Sequence, residues 1–222
     1  MQVSKKSEMI LHVNRRDQVL GRVNRFRAHV GKGILNRGLL VTVKDRRNRI
    51  YLSQRSRRRP DLPRYFPPPF ALQWDGTIAG HPKPERRGYM DQAVAELNEE
   101  LGLVAKRNDL KWLGKFYYNT TDPLYPNKRY STIVREMEVC GSMILYTDHK
   151  PSGNPVEISE IETVQADKVE AEVKGFVRSN VEFLEDGTII VKRFDQDIRM
   201  FTPWFIRAQQ LYREEIYGFD SR

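Results

Sequence analysis

The sequence predicts an α+β fold, a mixed sheet covered by helices and formed as one domain over residues 1–222. Three observations carry this. Runs rich in β-branched and aromatic residues recur in pairs joined by turn residues. One stretch, residues 90–101, has clear helical spacing. The hydrophobic share of 39% is too high for a disordered chain, and 222 residues are enough to bury a core.

MILHVN (9–14) and VLGRV (19–23) flank Arg15-Arg16-Asp17 and read as a hairpin. GLLVTVKD (38–45) and RIYLSQR (49–55) form a second pair around Arg46–Asn48. The segment RSRRRPDLPRYFPPPFALQWDG is too proline-dense for a regular element. In MDQAVAELNEEL (90–101), Met90, Ala93, Val94, Leu97 and Leu101 share one helical face, and Gly102 follows as a stop. KWLGKFYYN (111–119) and STIVREMEVCGSMILY (131–146) read as strands, and 157–176 as a strand followed by a short helix. VEFLEDGTIIVKRF (181–194) is a hairpin, with Asp186-Gly187 supplying the tight turn. It lies in a segment, 177–199, that reads as an inserted β-hairpin. An amphipathic helix from Pro203 to about Tyr217 ends the chain.

Charge is uneven. Residues 1–64 carry 18 Lys and Arg against Glu8, Asp17, Asp45 and Asp61, while the rest of the chain is net acidic. Such asymmetry points to an anionic partner: phosphates, nucleic acid or a membrane surface. The single Cys140 excludes an internal disulfide framework, and no apolar run approaches membrane-spanning length. A soluble cytoplasmic protein is the expectation.

Glu96, Glu99 and Glu100 lie at i, i+3 and i+4 on one face of the 90–101 helix, where like charges repel. They read either as a solvated face or as oxygen ligands for a hard cation, Mg²⁺ or Mn²⁺, paired with substrate phosphates. AELNEELGL (95–103) resembles the second half of a Nudix box. Ala95 stands where that signature has Arg, and Arg87 where its first Glu belongs; Glu85 is the nearest alternative carboxylate.

Further segments, in shared order and spacing from about residue 9 to 217, are similar to type I isopentenyl-diphosphate isomerases of the Nudix superfamily. They are RAHVGKGILNRGLLVTV (27–43), GHP (80–82), FYYNTTDP (116–123), REMEVC (135–140) and FTPWF (201–205). The resemblance implies a Nudix-like α/β/α sandwich and a metal site of three His and two Glu. His29, His81, Glu136 and Glu138 fill four of those places, and Asn36 stands at the fifth. It also implies acid/base work by Glu138 and by a Cys before Gly-His-Pro, but Ala79 stands there and has no proton to move. Tyr118 and Trp204 match the aromatic residues beside the family's cationic carbon, where a Trp face stabilises positive charge. Arg55, Arg58, Arg59 and Arg64, with Arg57, fall where the family binds the diphosphate.

With the isomerase Cys missing and hydrolase-like carboxylates present, the first functional reading is a metal-dependent hydrolase of a small organic or nucleoside diphosphate. Glu96, Glu99 and Glu100 would hold Mg²⁺ or Mn²⁺. The alternative is a divergent isopentenyl-diphosphate isomerase. A second alternative is a non-catalytic phosphate- or RNA-binding Nudix domain. A nucleic-acid partner and a homodimer both stay open on the sequence.

Overall fold

The computed structural model describes residues 8–57, 69–86, 88–123, 133–192 and 198–218. The strands are β1 (Met9–Val13), β2 (Val19–Asn24), β3 (Asn36–Lys44), β4 (Arg49–Arg55), β5 (Trp74–Asp75), β6 (Thr77–Gly80), β7 (Leu110–Thr121), β8 (Arg135–Tyr146), β9 (Ile158–Gln165), β10 (Val181–Phe183) and β11 (Thr188–Val191). The helices are α1 (Arg25–Ala28), α2 (Tyr89–Leu101), α3 (Ala166–Asn180), α4 (Pro203–Leu211) and α5 (Arg213–Tyr217).

One mixed sheet runs β10-β11-β7-β8-β3-β1-β2, and β6 also pairs with β3. β3 lies parallel to β8 over nine residue pairs, Asn36↔Glu138 to Lys44↔Tyr146. The expected β3–β4 hairpin exists only at its closed end, Lys44↔Ile50. Beyond it β4 leaves β3 and pairs with β5 and β9, opening the sheet into a cleft beside β6.

Alternation along β3 sends Leu39, Val41 and Val43 to one side, where they pack with Ala93, Leu97 and Leu101 of α2. Leu40 points to the other side, into a cluster with Phe176 of α3 and Trp204, Phe205 and Ala208 of α4. The sheet is therefore covered on both faces, the α/β/α arrangement of a Nudix fold. Gly102, at φ 64°, ends α2 by donating its N–H to the carbonyl of Asn98.

Several elements differ from the sequence reading. The Pro-dense segment contains β5, with β6 close behind, both too short for a periodicity signal. The short helix after 157–165 is a full 15-residue α3 that runs to Asn180. Residues 177–180 thus belong to α3, and the hairpin is confined to β10 and β11. It extends the sheet edge, with β11 parallel to β7 at Thr188↔Asn119 and Ile189↔Thr120. The last helix breaks at Tyr212 into α4 and α5.

Candidate metal centre and adjoining cleft

Three elements bring four side chains to one buried point. Glu136 and Glu138 project from the same face of β8. His81 follows the last residue of β6, and His29 caps the C-terminus of α1. The His29 loop is zipped to the start of β8 by Arg135 N–H to His29 O (2.9 Å) and Gly31 N–H to Ile133 O (2.9 Å). That pairing sets His29 opposite Glu136. Among the described residues this is the one group of three or more His, Cys, Asp or Glu whose ligand atoms all lie within 4.8 Å of one another.

The contacts inside the group are short. His29 Nδ1 lies 3.0 Å from Glu136 Oε2, and His81 Nε2 lies 2.8 Å from Glu138 Oε1. The first pair is not in hydrogen-bond geometry: His29 Nδ1, His29 Nε2 and Glu136 Oε2 are all buried without a hydrogen-bond partner. Atoms that bind a common cation at about 2.1 Å in octahedral geometry sit about 3 Å apart, each aimed at the centre rather than at its neighbour. The donor set therefore fits a divalent metal. Asn36 adds to it: its Nδ2 donates to Ile34 O (3.0 Å) and Met137 O (3.2 Å), leaving Oδ1 buried and unpartnered.

The sequence reading did not single out Gly38. It lies on β3 between Asn36 and Leu40, and a Cβ there would come within 1.7 Å of Glu138 Oε2. The missing side chain is the space through which Glu138 leans across β3 towards His81. The other face of Glu138 is held by Tyr118, whose hydroxyl donates to Oε2 at 2.7 Å. Burial raises Glu138 well above the ordinary carboxylate value, and the charge of Glu136 adds to the rise. Burial acts on Glu136 in the same sense, but His29 beside it draws its value down. Burial and then Glu138 likewise raise Tyr118.

Trp204 and Tyr118 are both in the aromatic core, with ring centroids 6.1 Å apart. The indole N–H of Trp204 donates to Asp75 Oδ2 at 2.7 Å, and the Arg55 guanidinium lies 5.2 Å from the Trp204 ring centroid.

A cleft of about 740 Å³ opens beside His81. Glu96, Glu99 and Glu100 of α2 line one part of it; Arg55 lines it too, with Arg22, Arg25 and Lys83. The three Glu do not gather as tightly as the His/Glu group. Glu96 is buried, accepts from Gln92 Nε2 at 2.6 Å and packs against Gly80. Glu99 is half-exposed and pairs with Arg86 at 3.5 Å. Glu85 also lines the cleft, as does Glu157, which the sequence reading missed. The loop before β9 brings Glu157 there, sewn to the end of α2 by Asn154 N–H to Glu100 O (2.7 Å) and Ser152 N–H to Leu101 O (2.9 Å). Arg57 is exposed; Arg58, Arg59, Arg64 and Arg87 lie outside the described residues.

No protein-family model matches the chain. It is 25% identical over 198 residues to isopentenyl-diphosphate Delta-isomerase 1 of Photorhabdus laumondii, covering 89% of this chain and 90% of that protein. It is 29% identical over 152 residues to the isopentenyl-diphosphate Delta-isomerase of Haloarcula marismortui, covering 67% and 72%. In structure it is similar to DR0079 from Deinococcus radiodurans, with a TM-score of 0.59 and 16% identity over 93% of this chain and 100% of that one. The chain thus has a Nudix-like fold and is a sequence relative of the isopentenyl-diphosphate isomerases.

Proposed function

We propose that the chain is a divergent isopentenyl-diphosphate isomerase, a metal-dependent enzyme that shifts the double bond of a small isoprenoid diphosphate. The observation that carries this reading is the convergence of His29, His81, Glu136 and Glu138, with Tyr118 bound to Glu138. The sequence relatives support it in preference to the hydrolase reading.

His29, His81, Glu136, Glu138 and the Asn36 carbonyl would hold the metal; two imidazoles suit Mn²⁺ or Zn²⁺ better than Mg²⁺. A cation there supplies positive charge that fixes the orientation of the buried carboxylates. The chain's own residues do the rest. Arg22, Arg25, Arg55 and Lys83 bind the diphosphate in the cleft, with Mg²⁺ suited to phosphate oxygens and the α2 carboxylates. The Trp204 ring stabilises the positive charge that develops on the hydrocarbon. Glu138, with Tyr118 on its Oε2, moves a proton on one side of that group.

Hydrolysis is the second reading, favoured by Glu96, Glu99 and Glu100 sharing a cleft with four cationic side chains. One experiment separates the two. The protein is given Mn²⁺, Mg²⁺ and isopentenyl diphosphate in D₂O, with double-bond position read by NMR and released phosphate by colorimetry. Migration of the double bond without phosphate release is the expected result. Phosphate release without migration would replace this reading with the hydrolase. No turnover of any diphosphate, together with salt-sensitive RNA binding, would replace it with a binding domain.

A further inference from the structure

Shifting a double bond by protonation and deprotonation needs two proton-handling groups, and Ala79 leaves one of them unassigned. Asp75, at the end of β5, is a buried titratable group with no role so far. It is 1% exposed and lines the same cleft as Ala79 and Arg55. Oδ1 accepts from Gly76 N–H at 2.8 Å and Oδ2 from Trp204 Nε1 at 2.7 Å, while Arg55 stands 3.8 Å away.

These contacts form an ordered row. Asp75 holds the Trp204 indole, Trp204 packs against Tyr118, and Tyr118 donates to Glu138. Two buried carboxyl groups thus stand at the two ends of one aromatic pair. Arg55 marks the Asp75 end as the diphosphate end. Surface ion pairing does not explain the arrangement, because Asp75 is 1% exposed and its Oδ2 is held by the indole of Trp204, a core residue.

We infer that Asp75 is the second proton-handling group of the site and does the work that the family's Cys does at position 79. The inference rests on the isomerase reading. In the reaction, a proton from the Glu138–Tyr118 end is delivered to the terminal methylene carbon, and the π electron pair forms the new C–H bond. That leaves a tertiary cation. The Asp75 carboxylate removes a proton from the carbon next to the one bearing the diphosphate, and that C–H pair becomes the new double bond. The proton ends on Asp75, and solvent exchange returns both groups to their starting states. Burial raises the Asp75 carboxyl above its ordinary value, against the opposing pull of Arg55 and the Trp204 N–H, which makes it a stronger base.

The test compares full-length wild type, Asp75→Asn, and Asp75→Asn combined with Ala79→Cys, on isopentenyl diphosphate with Mn²⁺ and Mg²⁺. Asp75→Asn keeps an acceptor for Trp204 but cannot take the proton. Its kcat is expected to fall by about 100-fold or more, with KM within about 3-fold and an unchanged thermal midpoint. Ala79→Cys in that background is expected to recover at least about 10-fold of the loss, which a structural role for Asp75 would not allow. An Asp75→Asn kcat within about 3-fold of wild type overturns the inference and leaves the isomerase reading standing. A loss of activity that Ala79→Cys does not recover, with a lowered thermal midpoint, marks Asp75 as structural and also overturns it. Wild type that does not move the double bond overturns the isomerase reading, and the inference with it.

Discussion

Gly38 and Glu138 share one space: the carboxylate on β8 lies where a side chain on β3 would be, 1.7 Å from an ideal Cβ. A methyl group there displaces the carboxylate from His81 and from Tyr118 together. Gly38→Ala is therefore expected to lower bound metal at least about 10-fold, read by elemental analysis after dialysis against a fixed Mn²⁺ concentration. Full metal occupancy in Gly38→Ala would mean that Glu138 does not need this route to the centre.

Metal removal should be visible in stability. A ligand at 100 times its Kd stabilises the folded state by about 2.7 kcal/mol, and in a domain of this size about 1 kcal/mol moves the midpoint by roughly 2–4 °C. Adding Mn²⁺ or Zn²⁺ to chelator-treated protein is thus expected to raise the midpoint by roughly 5–10 °C. Glu136→Gln, which removes one anionic donor, should lose most of that response. An equal rise in wild type and variant would place the metal elsewhere.

The metal-free protein should also lose stability as pH rises. Burial first, and then Glu136, raise Glu138 in the folded state well above the ordinary glutamate value. A group shifted in this sense contributes stability below its unfolded value and loses it as pH climbs through the folded one. With chelator present, the urea midpoint is expected to decline above about pH 4.5, and Glu138→Gln should flatten that decline. Parallel curves for the two proteins would show that Glu138 is not the group responsible.

Tyr118→Phe tests the other contact of Glu138. Removing the hydroxyl takes away the 2.7 Å donor to Oε2 and leaves a buried acceptor short of a partner, at a cost of about 1–3 kcal/mol. On the isomerase reading kcat falls by about 10-fold or more with little change in KM. Loss of stability with kcat intact would make Tyr118 a packing residue.

Much of the scaffold was legible because it repeats locally. β1, β2, β7 and β8 have strand composition, α2 has helical spacing, and Glu136 and Glu138 sit at i, i+2 on one strand. Their burial was not legible, because the same i, i+2 spacing suits an exposed strand edge; β3 and β7 on either side of β8 make it an interior strand. β5 and β6 are two and four residues long, below the length at which periodicity shows, yet they bring Asp75 and His81 to the site. Gly38 and Asp75 gave no signal because their partners are distant in sequence. Asp75 meets Trp204 across 129 positions. The resemblance named the buried cluster and Arg55; Arg22, Arg25 and Lys83, which line the cleft with it, carried no signal of their own.

His81 belongs both to the buried cluster and to the wall of the cleft. Any anion that settles against Gly80 and His81 therefore meets the same imidazole that faces Glu138. Occupancy of the two places is thermodynamically linked on the isomerase reading, and linkage is reciprocal. The factor by which a bound diphosphate tightens the metal must equal the factor by which the metal tightens the diphosphate. One residue just past a four-residue strand thus joins two binding equilibria into one.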